Sequence, residues 1–260
     1  MWVGADKDPD PTVMLFDRGI IAPNETVDGN WEKSGYMHLG SEPWLKVNLN
    51  GERFCNESGT YDFILHADAS QPGNIHVCLW DADWQTYAQQ FDMHGCSRMF
   101  PFDNGAAPNL PIEVVTAMNE EALKAGHIQQ ADTIEELAAL LDVPADELQK
   151  TIDRYNELCD QGTDADFGKK SAYMHKIEKA PFWGVRKHIR VSSIDSGVNT
   201  NANGQALDAD GKVIEGLYCV GNVGGVFYGG ADYPFHQTGL SLGRCYTFGM
   251  LAAKHAMGQL

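Results

Sequence analysis

Between Trp44 and Cys55 apolar and polar positions alternate on either side of Asn50-Gly51: Trp-Leu-Lys-Val-Asn-Leu before it, Glu-Arg-Phe-Cys after it. A period of two marks a strand, and Asn-Gly is the short signal for a type I′ hairpin. The pattern predicts strands over 44–49 and 52–55. Residues 56–110 are rich in aromatics, Gly, Pro and Asp, with short apolar runs such as Ile75 to Trp80, and read as mixed and irregular. At Pro111 the period lengthens to that of a helix. Val114, Met118 and Ala122 share one face. Asp132-Thr133 with Glu136 resembles a capping box ahead of Leu137, Leu140 and Leu141. Pro144 opens a third helix with the stripe Leu148, Ile152, Tyr155 and Cys159. Such stripes predict the core of a small helical subdomain rather than a ligand site.

Beyond the polar stretch Gln161 to Lys170, Val185 to Val191 reads as a strand, and Asn201 to Gly204 and Asp208 to Gly211 as tight hairpin turns. A short apolar strand, Gly216 to Val220, then leads into a glycine-dense loop, Gly221 to Gly230. A helix follows over Gly239 to Met257, with Leu242, Tyr246, Gly249 and Ala253 spaced along it. Strand, glycine loop and helix in that order are what an α/β sheet uses to hold a cofactor. Glycines at 221, 224, 225, 229 and 230 let backbone pass close to a flat ligand, or simply allow tight turns. The free N–H groups at the start of the last helix suit an electron-rich ring edge, such as the pyrimidine of a reduced flavin.

Composition removes several classes of function. Lys and Arg total 19 against 36 Asp and Glu, a formal charge of −17. So acidic a surface repels phosphate backbones, and no nucleic-acid partner is expected. No stretch approaches the length of a membrane span and no leader pattern opens the chain, so a soluble chain of open compartment is expected. The six cysteines have no C-x-x-C spacing and read as buried free thiols; the histidines show no paired spacing for a metal. The opening Met1-Trp-Val-Gly-Ala-Asp carries no cap or strand signal and reads like the tail of a longer element.

Gly216-Leu-Tyr-Cys-Val-Gly-Asn222, Gly224-Gly-Val-Phe-Tyr-Gly-Gly230 and Gly239-Leu-Ser-Leu-Gly-Arg-Cys-Tyr-Thr-Phe-Gly249 together resemble the C-terminal FAD-binding segment of the fumarate reductase and succinate dehydrogenase flavoprotein family. Gly51-Glu-Arg-Phe-Cys-Asn-Glu57 is similar to that family's G-x-R-F-x-N-E stretch, and Ala131-Asp-Thr-Ile-Glu-Glu-Leu137 with Arg154-Tyr-Asn156 to its capping-domain helices. The likeness covers nearly the whole chain, but the family's N-terminal G-x-G-x-x-G turn has no counterpart here. It implies a mixed α+β and α/β fold, a capping domain joined to the C-terminal part of a Rossmann-like FAD-binding domain. The implied division is 1–43 and 186–260 to the FAD-binding part and 44–185 to the cap.

The resemblance implies FAD as cofactor and hydride transfer between flavin N5 and an activated C=C, with a side chain protonating the neighbouring carbon. It places Gly221, Asn222, Gly239, Leu240, Ser241 and Leu242 at the cofactor. The family's proton-donating Arg position is occupied by Tyr61, whose phenol would keep its proton at neutral pH. The H-T-x-G-G segment aligns with Ser193 to Gly197 and lacks the His; the later carboxylate-binding Arg falls near His236, read as a substrate anchor. A dicarboxylate needs paired cations, so the expected substrate is a small unsaturated molecule other than fumarate, in contact with Ser193, Tyr228 and Tyr233. Relatives draw electrons from haem or flavin domains, which makes such a donor a possible partner. Two alternatives stay open: a truncated, non-catalytic binding fragment, and a flavoenzyme like the 3-ketosteroid dehydrogenases, which the Tyr233-Pro segment resembles.

Overall fold

The computed structural model describes residues 3–9, 13–21, 42–59, 61–91, 111–194, 196–228 and 240–260. The chain forms two compact units, a larger one of Phe16–Arg190 and a smaller one that joins Met1–Leu15 to Val191–Leu260.

The larger unit is built on an antiparallel core of β2 (Leu45–Asn48), β3 (Ile75–Trp80) and β5 (Phe182–Ile194). The sheet order is β1-β5-β3-β2, with β1 at Val13–Ile20, and the short β4 (Gln129–Ala131) also pairs with β5. Every residue of β2 and β3 is buried. Successive side chains of a strand point to opposite faces, and β3 feeds two cores. Val77 and Leu79 join Leu45, Val47 and the helices α4 (Ile134–Leu141) and α5 (Ala145–Gln161). Cys78 and Trp80 join Trp44, Val185 and Ile128, with α2 (Trp84–Ala88) and α3 (Ile112–Lys124).

The polar positions of the alternating run therefore do not face water. Lys46 and Asn48 are buried, their side chains bonded to the Glu42 carbonyl and to Glu52 and Gln71. The hairpin is also only half a hairpin. Beyond Asn48 the return arm makes an isolated bridge, Val47 to Arg53, and β2 takes β3 as its ladder partner. Gly51 has a positive φ of 81° while Asn50 does not, so the turn is not type I′. A Cβ at Gly51 would stand 2.9 Å from the Leu148 amide nitrogen, so the turn is pressed against the start of α5.

Helix predictions fare better, with shifted faces. Thr133 caps α4 by accepting from the Glu136 amide, and Ile134, Leu137, Ala138 and Leu141 turn inward while Leu140 stays exposed. On α5 the buried stripe is Leu148, Ile152, Tyr155 and Leu158, with Cys159 half-buried. On α3 it is Val115 and Asn119 that are buried, and Val114 is exposed. Within the span read as irregular lie α1 (Tyr61–Ala69), β3 and α2.

In the smaller unit β6 (Gln205–Leu207) and β7 (Val213–Tyr218) form an antiparallel pair. The Asn201 side-chain oxygen accepts from the amides of Asn203 and Gln205, and Asp208 does the same for Asp210 and Lys212. These side-chain bonds shape both predicted turns, and Gly204 and Gly211 take the positive φ that ends each. A small core of Ala5, Val198 and Ala206 sits beneath them. After β7 a short 3-10 turn, Gly221–Val223, packs against α6 (Leu240–Ala256). Among the described residues no helix is long and apolar enough to cross a membrane.

Candidate active site

Glycines in the loop after β7 are there first for the chain itself. A Cβ on Gly224 would come within 2.6 Å of the Cys219 carbonyl, one on Gly225 within 2.6 Å of Asp8, and one on Gly221 within 2.8 Å of the Cys245 sulfur. The loop can therefore fold tightly onto β7 and α6. Asp8 is buried and accepts from the Val226 amide, which pins the loop to the N-terminal segment.

Behind the loop lies a cavity of about 530 Å³. Its walls are the backbone of Gly221, Gly224 and Gly225, the rings of Phe227 and Phe248, the apolar Val220 and Leu251, and the amide of Asn201. Phe227 meets Phe248 edge to face, at 5.5 Å and 86°. The charged residue of the lining is Arg244, one turn into α6 and only 4% exposed. Its Nη2 donates to the Gly221 carbonyl at 2.5 Å and lies 3.4 Å from the Gly224 carbonyl and from Asn222 Oδ1. Its guanidinium carbon stands 4.9 Å from the centre of the Phe227 ring and 4.7 Å from that of Tyr228. Nε and Nη1 are buried without a hydrogen-bond acceptor, and among the described residues no carboxylate pairs with Arg244. A lining of aromatic rings, open backbone and one uncompensated cation suits a flat ligand that carries a single delocalised negative charge.

Of the residues named from the sequence, the structure brings Asn222, Ser241 and Tyr228 together around Arg244. The Ser241 hydroxyl is 3.5 Å from Asn222 Oδ1. Leu240 opens α6, and Leu242 points out, 68% exposed, as does Tyr246. The stripe spaced along this helix is thus an outward face; Arg244 and Ala252 are its buried residues. Ser193 lies in β5, and Tyr61 is the first residue of α1 in the larger unit; neither side chain is among those described. Tyr233, His236 and Gly239 lie outside the described residues. Arg244 carries no motif spacing of its own and was not among the residues expected at the site; an arginine in the otherwise uncharged start of a helix was the available signal.

The larger unit holds a second concentration of buried charge, and there the charges are matched. Arg53 grips Asp164 with two nitrogens, at 3.0 and 2.7 Å, and Glu57 with two more bonds at 2.9 and 2.8 Å. Lys169 lies 3.5 Å from Glu57 and donates to the Tyr155 hydroxyl. Burial alone would raise the Glu57 pKa, but the charges of Lys169 and Arg53 outweigh it and hold the carboxyl below its usual range. Deeper in the sheet His76 pairs with Asp68 of α1 at 2.5 Å, both fully buried. Burial opposes charging of His76, yet Asp68 wins and the imidazole pKa rises to about 9. None of Cys55, Cys78, Cys159, Cys219 and Cys245 is in a disulfide; the first two are buried and the other three half-buried.

Comparison with known proteins gives this geometry its family. The family model described as "FAD binding domain" matches residues 23–233. The chain belongs to this FAD-binding family, that of the fumarate reductase type of flavoprotein, and FAD is the family's cofactor. It is 29% identical over 254 residues to a vinyl phenol reductase of Lactiplantibacillus plantarum, covering 97% of this chain and 50% of that protein. It is 35% identical over 264 residues to the acrylate reductase flavoprotein subunit of Shewanella woodyi, covering 95% of this chain and 50% of that one. The chain thus spans about half the length of these curated relatives. Among solved structures, a 3-ketosteroid delta1-dehydrogenase from Sterolibacterium denitrificans in complex with 1,4-androstadiene-3,17-dione superposes with a TM-score of 0.71 at 22% identity, covering 99% of this chain and 45% of that one. At that identity the likeness speaks for the fold alone.

Proposed function

We propose that the chain forms the flavin-ring and substrate side of an FAD-dependent oxidoreductase that adds hydrogen across an activated C=C of a small unsaturated molecule other than fumarate. The observation that carries this reading is the cavity beside α6, where rings, open glycine backbone and a buried cation meet. These residues fit the ring system of FAD: the walls accept a flat heterocycle, and Arg244 awaits a negative charge. Gly221, Asn222, Gly239, Leu240, Ser241 and Leu242 would hold it, the helix residues through their backbone N–H groups. When bound, FAD supplies the hydride.

The chain's own contribution is orientation and a proton. Tyr61 is the group that delivers the proton to the carbon next to the one reduced, and His236, with Ser193, Tyr228 and Tyr233, anchors the substrate. Residues 44–185 act as the capping, substrate-side domain, with 1–43 and 186–260 as the FAD-binding part. The names of the vinyl phenol and acrylate reductases support a singly activated double bond over a dicarboxylate. The test begins with the purified chain and added FAD, read by visible absorbance. Bound flavin supports the reading, and its absence refutes flavin binding by this chain. Oxidation of a reduced dye by cinnamates, urocanate, fumarate and an enone steroid then ranks substrates; turnover of fumarate alone would overturn the substrate class, and turnover of the steroid alone would favour a steroid dehydrogenase. Tyr61→Phe should abolish turnover while leaving flavin bound, since only the proton is lost; unchanged turnover removes Tyr61 from the mechanism.

A further inference from the structure

A buried guanidinium without a counter-ion is unusual, because charge leaves water readily only when another charge or a full set of acceptors replaces it. Arg244 has neither. One of its nitrogens reaches backbone carbonyls, while Nε and Nη1 are sealed from solvent with no acceptor. It is held in place on two sides, by the Phe227 and Tyr228 rings. Its helix compounds the effect, since the first turn of α6 also presents positive potential. The surrounding lining limits which anion could pair with it. A diphosphate needs several cations or a nest of amides, and among the described residues no second Lys or Arg lines the cavity. Phe227, Phe248, Val220 and Leu251 instead make most of the wall apolar.

We propose, building on the FAD reading above, that Arg244 is the electrostatic partner of the pyrimidine edge of the reduced flavin and sets the reduction potential of the bound cofactor. Two-electron reduction leaves negative charge on that edge, whereas the oxidised ring is neutral. A fixed cation therefore binds the reduced form more tightly than the oxidised form, and linkage turns that difference into a higher midpoint potential. Arg244 touches no substrate in this proposal; it makes the flavin a weaker hydride donor held ready in its reduced state.

The experiment compares the full chain with its Arg244→Gln and Arg244→Lys variants, each loaded with FAD. The readouts are the two-electron midpoint potential and the affinities for oxidised and reduced FAD. Gln should weaken reduced FAD at least tenfold more than oxidised FAD, which is a fall of about 30 mV or more in midpoint potential. Lys, which keeps the charge, should recover much of that fall. A Gln variant with an unchanged potential, or one that weakens both redox forms equally, overturns the proposal and leaves Arg244 a packing residue. If the unmodified chain binds no FAD, the FAD reading itself fails for this chain and the proposal falls with it. Far-ultraviolet circular dichroism and flavin stoichiometry keep a misfolded variant from being read as either result. If Gln does not fold, Arg244→Met takes its place, with the same fall in potential expected and an unchanged potential again overturning the proposal.

Discussion

The two units treat buried charge in opposite ways. In the larger one Arg53 is enclosed by Glu57 and Asp164, and His76 by Asp68, so each cation meets a carboxylate at hydrogen-bond distance. In the smaller one Arg244 is more deeply buried still and, among the described residues, meets carbonyl oxygens and rings but no carboxylate. Buried pairs of the first kind hold separate segments in one arrangement, here residues 53 and 164, which lie 111 apart in sequence. A cation of the second kind leaves electrostatic demand unmet by the protein, and that is the property a ligand site needs.

The same replacement made in both units gives the sharpest contrast. Arg53→Met leaves Glu57 and Asp164 buried without their shared cation and should cost about 3–5 kcal/mol in urea unfolding. A cost below about 1 kcal/mol would mean that the matched network is ornamental, and the comparison would break.

Next in size is a pH effect. The folded His76 pKa lies near 9, above the ordinary value of 6.5. Its pairing with Asp68 therefore stabilises the fold fully below about pH 6.5 and is lost as pH rises through 9. The two-and-a-half-unit shift corresponds to about 3 kcal/mol. Unfolding free energies taken on either side of this window should show the decline, and Asp68→Asn should flatten it. A flat profile in the unmodified chain would show that His76 is neutral.

Thr133→Ala removes the cap of α4 and should cost about 1 kcal/mol by thermal or urea unfolding. It calibrates what an ordinary local interaction is worth in the larger unit. The smallest change is expected from Arg244→Met without FAD. Removing an uncompensated buried charge for an apolar chain should alter stability by less than about 1 kcal/mol in either direction. A loss comparable with that of Arg53→Met would make Arg244 a structural residue like its counterpart.

Local signals carried well from sequence to structure. Thr133 with Glu136 was legible as a cap because the bond spans three residues. The turns at Asn201 and Asp208 were legible because each side chain closes its own loop. The Asn50-Gly51 turn was placed correctly and typed wrongly, since α5 presses on Gly51 and β3 displaces the return arm. The face of α3 was off by one position, because Val114 and Val115 are equal on composition and only the cluster around Trp44 and Trp80 selects the second.

What the sequence by itself determined is the family's run of glycines, the helix ends and the alternation of β2, all set by backbone conformation and by neighbours a few residues away. What only the tertiary structure decided is which buried charges are answered. In sequence Arg53 follows Glu52 and precedes Phe54, and Arg244 lies between Gly243 and Cys245; neither spacing says how deeply the guanidinium is buried or what meets it. Arg53 takes Glu57 from four residues away and Asp164 from 111 residues away, whereas among the described residues no carboxylate pairs with Arg244. Electrostatic pairing depends on distance in space and on exclusion of water, and neither is written into the spacing of residues along the chain.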